Sequence, residues 1–187
     1  ENLHDFFNAL VWLSFPLIKR QLNALQAAQI ESLGIGKSRG PARDAATIFD
    51  ENAALLVLEN SERGRRVLSC LREHQWQQAF IDYRDDFGEV VQVWSFGHAL
   101  MEKLVQPYKG ITAHAWVVWV EPDFFSQDRP QQAQQLDAQV SAQLQTQLLT
   151  TADYTPLPVL GVPGWWQGQD ADFYADASVF RAKRIAV

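Results

Sequence analysis

Cysteine occurs once in the chain, at Cys70, and methionine once, at Met101. A single cysteine excludes an intrachain disulfide and any zinc site built on thiolates. Long apolar runs are also missing. Nowhere do eighteen apolar residues follow one another, so no membrane span is expected. The opening FFNALVWLSFPL is apolar enough for a signal peptide, but His4, Asp5 and Asn8 stand where its basic residues belong, and no small-residue cleavage site follows. Basic charge is in deficit, with 16 Lys and Arg against 22 Asp and Glu, a net charge of -6. The nearest thing to a basic patch, Arg63, Arg65, Arg66 and Arg72, is diluted by Glu62 and Glu73 and reads as a solvated helix face. Nucleic acid and anionic membrane are therefore not expected partners, and the expected location is the cytoplasm. The chain begins at Glu1 rather than Met, so we expect a fragment lacking upstream residues.

What is present is a globular composition: 187 residues, 47% apolar, with seven Trp and eleven Phe. A single domain over 1–187 is expected, and at this size it buries roughly 70% of its unfolded surface without staples. Leu3, Phe6, Phe7, Leu10 and Leu13 form one helical stripe, with Asn2 as N-cap and Asp5 in the first turn. Pro16 restarts the helix, Ser14 can cap the second one, and Ile18, Leu22 and Leu25 continue its apolar face, giving a helical pair over 1–33. GIGKSRGP (34–41) reads as a loop; it lacks the GxxxxGK[ST] spacing of a phosphate loop.

From 42 to 150 the pattern alternates. A short helix near 42–48 precedes a continuous apolar strand at 53–59, and a Ser61-capped helix follows. Next come a strand at 89–96, a helix at 98–106, and a strand in ITAHAWVVWVEP. A Gln-rich helix from Pro130 to Leu149 then places Ala133, Leu136, Val140, Leu144 and Leu148 on one face. LPVLGV (157–162) is a possible fourth strand, and 151–187 is expected to pack irregularly over the core. The fold class is α/β: a small, mostly parallel sheet of three or four strands flanked by helices, with an N-terminal helical pair.

GxSxG, HExxH and GxGxxG are all absent, so no cofactor or metal is assigned. In a parallel sheet, ligands bind at the carboxyl ends of strands, which selects Asn60-Ser61, Gly97-His98 and Glu121-Pro122-Asp123. Gly97 lets the chain turn tightly, and His98 in the first helical turn can serve as base, nucleophile or metal ligand. Glu102, four residues on, shares its helix face as orienting partner; the plainer reading is an ordinary surface i,i+4 pair. His4 with Asn8 is a second polar pair, flanked by Phe6 and Phe7, which are expected to be buried; it reads as an edge that satisfies itself. ARDAATIFDEN adds Arg43, Asp44, Asp50, Glu51 and Asn52, enough carboxylates for a hard cation or for caps and ion pairs. Asp50 to Asn52 fall at the amino end of the first strand, opposite His98 unless the sheet is antiparallel there. His114 within a strand and Cys70 within a helix read as structural.

HDFFNALVWLSFP, RDAATIFDEN, FGHALMEK, GITAHA and LPVLGVPGW, in that order, resemble an uncharacterised bacterial family known as domain of unknown function 3025. The likeness covers most of the chain; Ala46, Ile48 and Val162 depart conservatively from the family pattern. The resemblance implies no activity, cofactor or catalytic residue. From the residues, the expectation is a small soluble enzyme, hydrolase-like, acting on a small molecule through His98 and Glu102, with His4 and Asp44 as further catalytic candidates. The alternative is a non-catalytic ligand-binding or protein-interaction domain, its aromatics forming a core and an interface, with homo-oligomers among its possible partners. A pocket holding His98 favours the first; an exposed patch of Trp165, Trp166 and Phe173 favours the second.

Overall fold

In a computed structural model of the chain, which describes residues 2–33 and 41–184, four strands form one mixed sheet in the order β2-β1-β3-β4. The glycine-rich stretch 34–40 lies outside the described residues, and the loop expected there is not addressed. Helices α1 (Leu3–Ser14) and α2 (Pro16–Leu33) are the expected pair. Asn2 caps α1, its side chain accepting from the His4 N–H. Ser14 does not cap α2; it ends α1. The carboxylate of Asp137, on a distant helix, accepts the Leu17 and Ile18 N–H groups at 3.0 and 2.9 Å. A buried acid thereby satisfies two orphan donors that a local serine was expected to serve.

Helix α3 (Pro41–Asn52) runs directly into β1 (Ala53–Glu59), followed by α4 (Glu62–Arg72), β2 (Val91–Ser95), α5 (His98–Val105) and β3 (Thr112–Val120). Then come α6 (Arg129–Thr146), β4 (Thr155–Pro158) and the short α7 (Ala171–Ala175). Strand β1 is buried on both sides, as its unbroken apolar run requires. Leu56 and Leu58 enter one core with Leu71, Phe80 and Leu157. Leu55 and Val57 enter a second with Phe49, Phe96, Leu136 and Val140. Helix α6 stops at Thr146, which leaves Leu148 78% exposed rather than on the buried face.

The sheet departs from the expectation of mostly parallel strands. Only β1 and β3 are parallel; β1–β2 and β3–β4 are antiparallel. The chain leaves β1 at Glu59 and re-enters the sheet at Val91, opposite Leu58. The excursion through α4 and the short turns at 78–86 therefore returns to the end it left. An apolar strand pattern reports burial on two faces, not direction, so the periodicity could not distinguish the two cases. Because β2 is reversed, Gly97 and His98 lie beside the amino ends of β1 and β3. They are away from Asn60-Ser61 and Glu121–Asp123, and next to the end of α3.

The first helix also faces differently from its sequence pattern. It buries Val11, with Phe15 just beyond it, whereas Leu3, Phe6, Leu10 and Leu13 are 39 to 80% exposed. Phe6 is exposed and Phe7 half-buried, not buried as expected. Val11, Phe15, Ile18 and Leu22 make the stripe that meets the core.

Candidate functional site

Three helices meet where β1 begins. Strand β2 is tied to the start of β1 at its exit, the Phe96 and Gly97 N–H groups both donating to the Ala53 carbonyl at 3.1 and 2.8 Å. Gly97 has φ -58°, so its backbone is available to any residue. Its lack of a side chain matters for space: a Cβ would stand 2.4 Å from the Glu51 carbonyl oxygen and 2.5 Å from the Asn52 nitrogen. The last turn of α3 thus packs on bare backbone, and α5 starts against it with His98 as its first residue.

There the imidazole of His98, 4% exposed, turns toward α1 and α3. Its Nε2 lies 2.9 Å from Nε2 of His4. Its Nδ1 is buried without a hydrogen-bond partner, and Asp50 Oδ2 stands 3.9 Å behind it. The other Asp50 oxygen accepts from the buried ammonium of Lys19, which also donates to Asn8 Oδ1 at 2.9 Å. His4 has its own carboxylate, Asp5 Oδ1, 3.4 Å from Nδ1. Burial holds the His98 imidazole below its usual pKa; Asp50 pulls the other way, while His4 and Lys19 add to the lowering.

These groups open into a cleft of about 340 Å³ lined by His4, Asn8, Gln26, Arg43, Thr47, Asp50, Glu51 and His98. Of the residues selected from sequence, His98 and His4 come together across 94 positions of chain. Glu102 and Asp44 do not join them. Glu102 is exposed on α5 and lines a separate depression with Leu3, Ala99 and Tyr108. The i,i+4 spacing put it near His98, but the ring is drawn off that face by α1 and α3. Asp44 is exposed on the first turn of α3, one residue from Arg43 and off the cleft. His4 and Asn8 are not a pair closed on itself: one meets His98, the other Lys19.

A parallel sheet would put Asp50 at the far end from His98; the antiparallel β2 brings the two together. Lys19 is not among the residues selected from sequence. The signal was present in α2, where a lysine falls four residues after Phe15 and between Ile18 and Leu22, on the face that must be buried. His114, as expected of a strand histidine, is hydrogen-bonded, its Nδ1 3.1 Å from Asn52 Nδ2. Cys70 is buried, and burial pushes its thiol up. A larger cleft of about 670 Å³, lined by Leu104, Pro107, Leu160, Gly164, Trp165, Trp166 and Gln167, lies elsewhere and holds no titratable side chain.

Among the described residues, no helix is long and apolar enough to cross a membrane. No curated protein and no solved structure matches the chain. Three of the five sequence blocks that carry the family resemblance supply seven of the eight cleft residues, Gln26 being the exception. The family model described as protein of unknown function (DUF3025) matches residues 1–184, and the chain belongs to that family.

Proposed function

We propose that the protein is an enzyme, hydrolase-like in its chemistry, that binds a small polar molecule in the cleft between α1, α3 and α5. It acts through the imidazole nitrogens of His4 and His98. The observation that carries this reading is the convergence of both Nε2 atoms, 2.9 Å apart, on a polar cleft backed by Asp50 and Lys19. Arg43 and Glu51 line the same cleft, and among the described residues neither has an ion pair, so both remain free for charged groups of a substrate. Asp50, 3.9 Å from the His98 Nδ1, is the carboxylate nearest that ring, in place of Glu102. A reducing, cytoplasmic setting fits a chain whose one thiol is buried and free.

The test is turnover of a pooled set of small esters, amides, phosphate esters and carboxylic acids, each followed by mass spectrometry. The wild-type chain is expected to consume at least one component, and His98→Ala to slow that consumption at least about 100-fold, the usual scale for loss of a positioned imidazole. Consumption at an unchanged rate by a folded His98→Ala protein would sink the assignment.

A second reading, a protein-interaction domain, draws support from the exposed apolar side of α1, Leu3, Phe6, Leu10 and Leu13. Trp165 and Trp166, each 37% exposed, add to it, although Phe173 is partly buried against the core. Self-association of the wild-type chain, abolished by Leu10→Asp with Leu13→Asp, is the outcome that reading requires.

A further inference from the structure

We propose that His4 and His98 together hold a divalent first-row transition-metal ion, with the open cleft supplying its remaining positions through water and substrate oxygen. This rests on the reading of the cleft as a catalytic site and names what the two imidazoles do there.

The geometry of the pair departs from a straight hydrogen bond and fits two ligands of one ion. A ring centroid lies about 1.2 Å behind each nitrogen, so a straight N–H···N bond over 2.9 Å would set the centroids about 5.2 Å apart. They are 4.4 Å apart. The rings do not face each other along one line; they stand edge-on, their planes at 87°. The separation itself is that of adjacent ligands on one ion, since bonds of about 2.05 Å at about 90° span about 2.9 Å. Imidazole nitrogens ligate zinc at about 2.0–2.1 Å, and neighbouring ligands of an octahedral ion stand about 90° apart.

The far side of each ring points the same way. Behind His98, Nδ1 is buried and unpartnered, with the Asp50 carboxylate 3.9 Å off. Behind His4, Nδ1 faces Asp5 at 3.4 Å. A ligating histidine needs its other ring N–H directed at a carboxylate or carbonyl, which sets the tautomer that frees Nε2 for the ion. His4 has that arrangement with Asp5; for His98 the nearest acid to Nδ1 is Asp50, 3.9 Å away and held by Lys19. Among the described residues, no group of three His, Cys, Asp or Glu side chains forms a ligand set. The ion therefore has two protein ligands, and several positions face the cleft, where Arg43 and Glu51 stand. Imidazole donors select Zn²⁺, Ni²⁺, Co²⁺ or Cu²⁺ over Mg²⁺ or Ca²⁺.

The experiment titrates the metal-stripped full-length chain with Co²⁺, Ni²⁺, Zn²⁺ or Mg²⁺ alone, read by calorimetry and by the histidine ring signals in NMR. One equivalent of Co²⁺ or Ni²⁺ is expected to shift or broaden the His4 and His98 rings and leave His74 sharp, with Mg²⁺ silent. His4→Gln, which changes an exposed residue and spares the core, is expected to weaken binding at least tenfold. The proposal is overturned if no transition metal binds, or if His4→Gln binds as tightly as the wild type. Absence of metal binding with His98-dependent turnover intact would remove the ion alone and leave the cleft an acid–base site. Metal bound at these rings without turnover of any pooled compound would support the ion and sink the enzyme reading.

Discussion

Replacing Lys19 with Met is the most direct test of how the cleft is supported. Lys19 is 3% exposed, and its ammonium donates to Asp50 and Asn8. Methionine preserves much of the apolar stem while removing the charge. Two acceptors then lose their donor. Breaking a buried pair from one side commonly costs about 3–5 kcal/mol, because the remaining charge stays desolvated. The Asp50 side chain, however, is 22% exposed and can recruit water, which places Lys19→Met at or below the lower limit of that range, at about 2–3 kcal/mol. Asp50→Asn is the harsher change, since it strands an ammonium with almost no access to solvent; about 3–4 kcal/mol is expected. The double substitution leaves neither charge behind and should cost less than the two singles added, by at least about 1.5 kcal/mol. Urea denaturation at 25 °C, followed by far-UV circular dichroism, measures all four proteins. A Lys19→Met chain within 0.5 kcal/mol of wild type, or additive singles, would refute the account of a buried pair holding Asp50 behind His98.

Gly97→Ala should cost about 1–3 kcal/mol, because its Cβ has no room against the Glu51 backbone and α3 and α5 must separate; unfolding midpoints and a shifted His98 ring resonance check it. Asp176 titrates at about 2, held down first by the hydrogen bond from Lys109 and then by Ser178. A depressed carboxyl stabilises the fold above its ordinary value of 3.8, and that contribution is lost as pH falls toward 2. Carboxyl NMR titration should find Asp176 near 2 in the wild type and nearer its ordinary value in Lys109→Met.

The chain's own pattern determined most of the local structure. The apolar run at 53–59, the Ser61 cap, the switch from β-branched residues to helix formers at Gly97, and the long amphipathic glutamine helix all lie where the residues put them. Each of these is written in neighbours a few residues apart, where steric and capping preferences act. Strand direction is not written there. Reversal of β2 follows from how α4 and the turns after it pack back on the sheet, and no period in residues 91–95 reports it. That one reversal brought Asp50 to His98. Which side of α1 is buried was likewise decided by its partners: α1 is apolar on two sides, and the stripe beginning at Val11 lies over Phe96 and Trp94. Glu102 shows the limit from the other direction. Spacing along a helix places two side chains near each other, but a third element, here α1 carrying His4, decides where the ring turns. The residue types for chemistry were therefore legible in sequence, and their assembly, His4 and His98 joined across 94 residues with Asp50 and Lys19 behind them, came only from long-range packing.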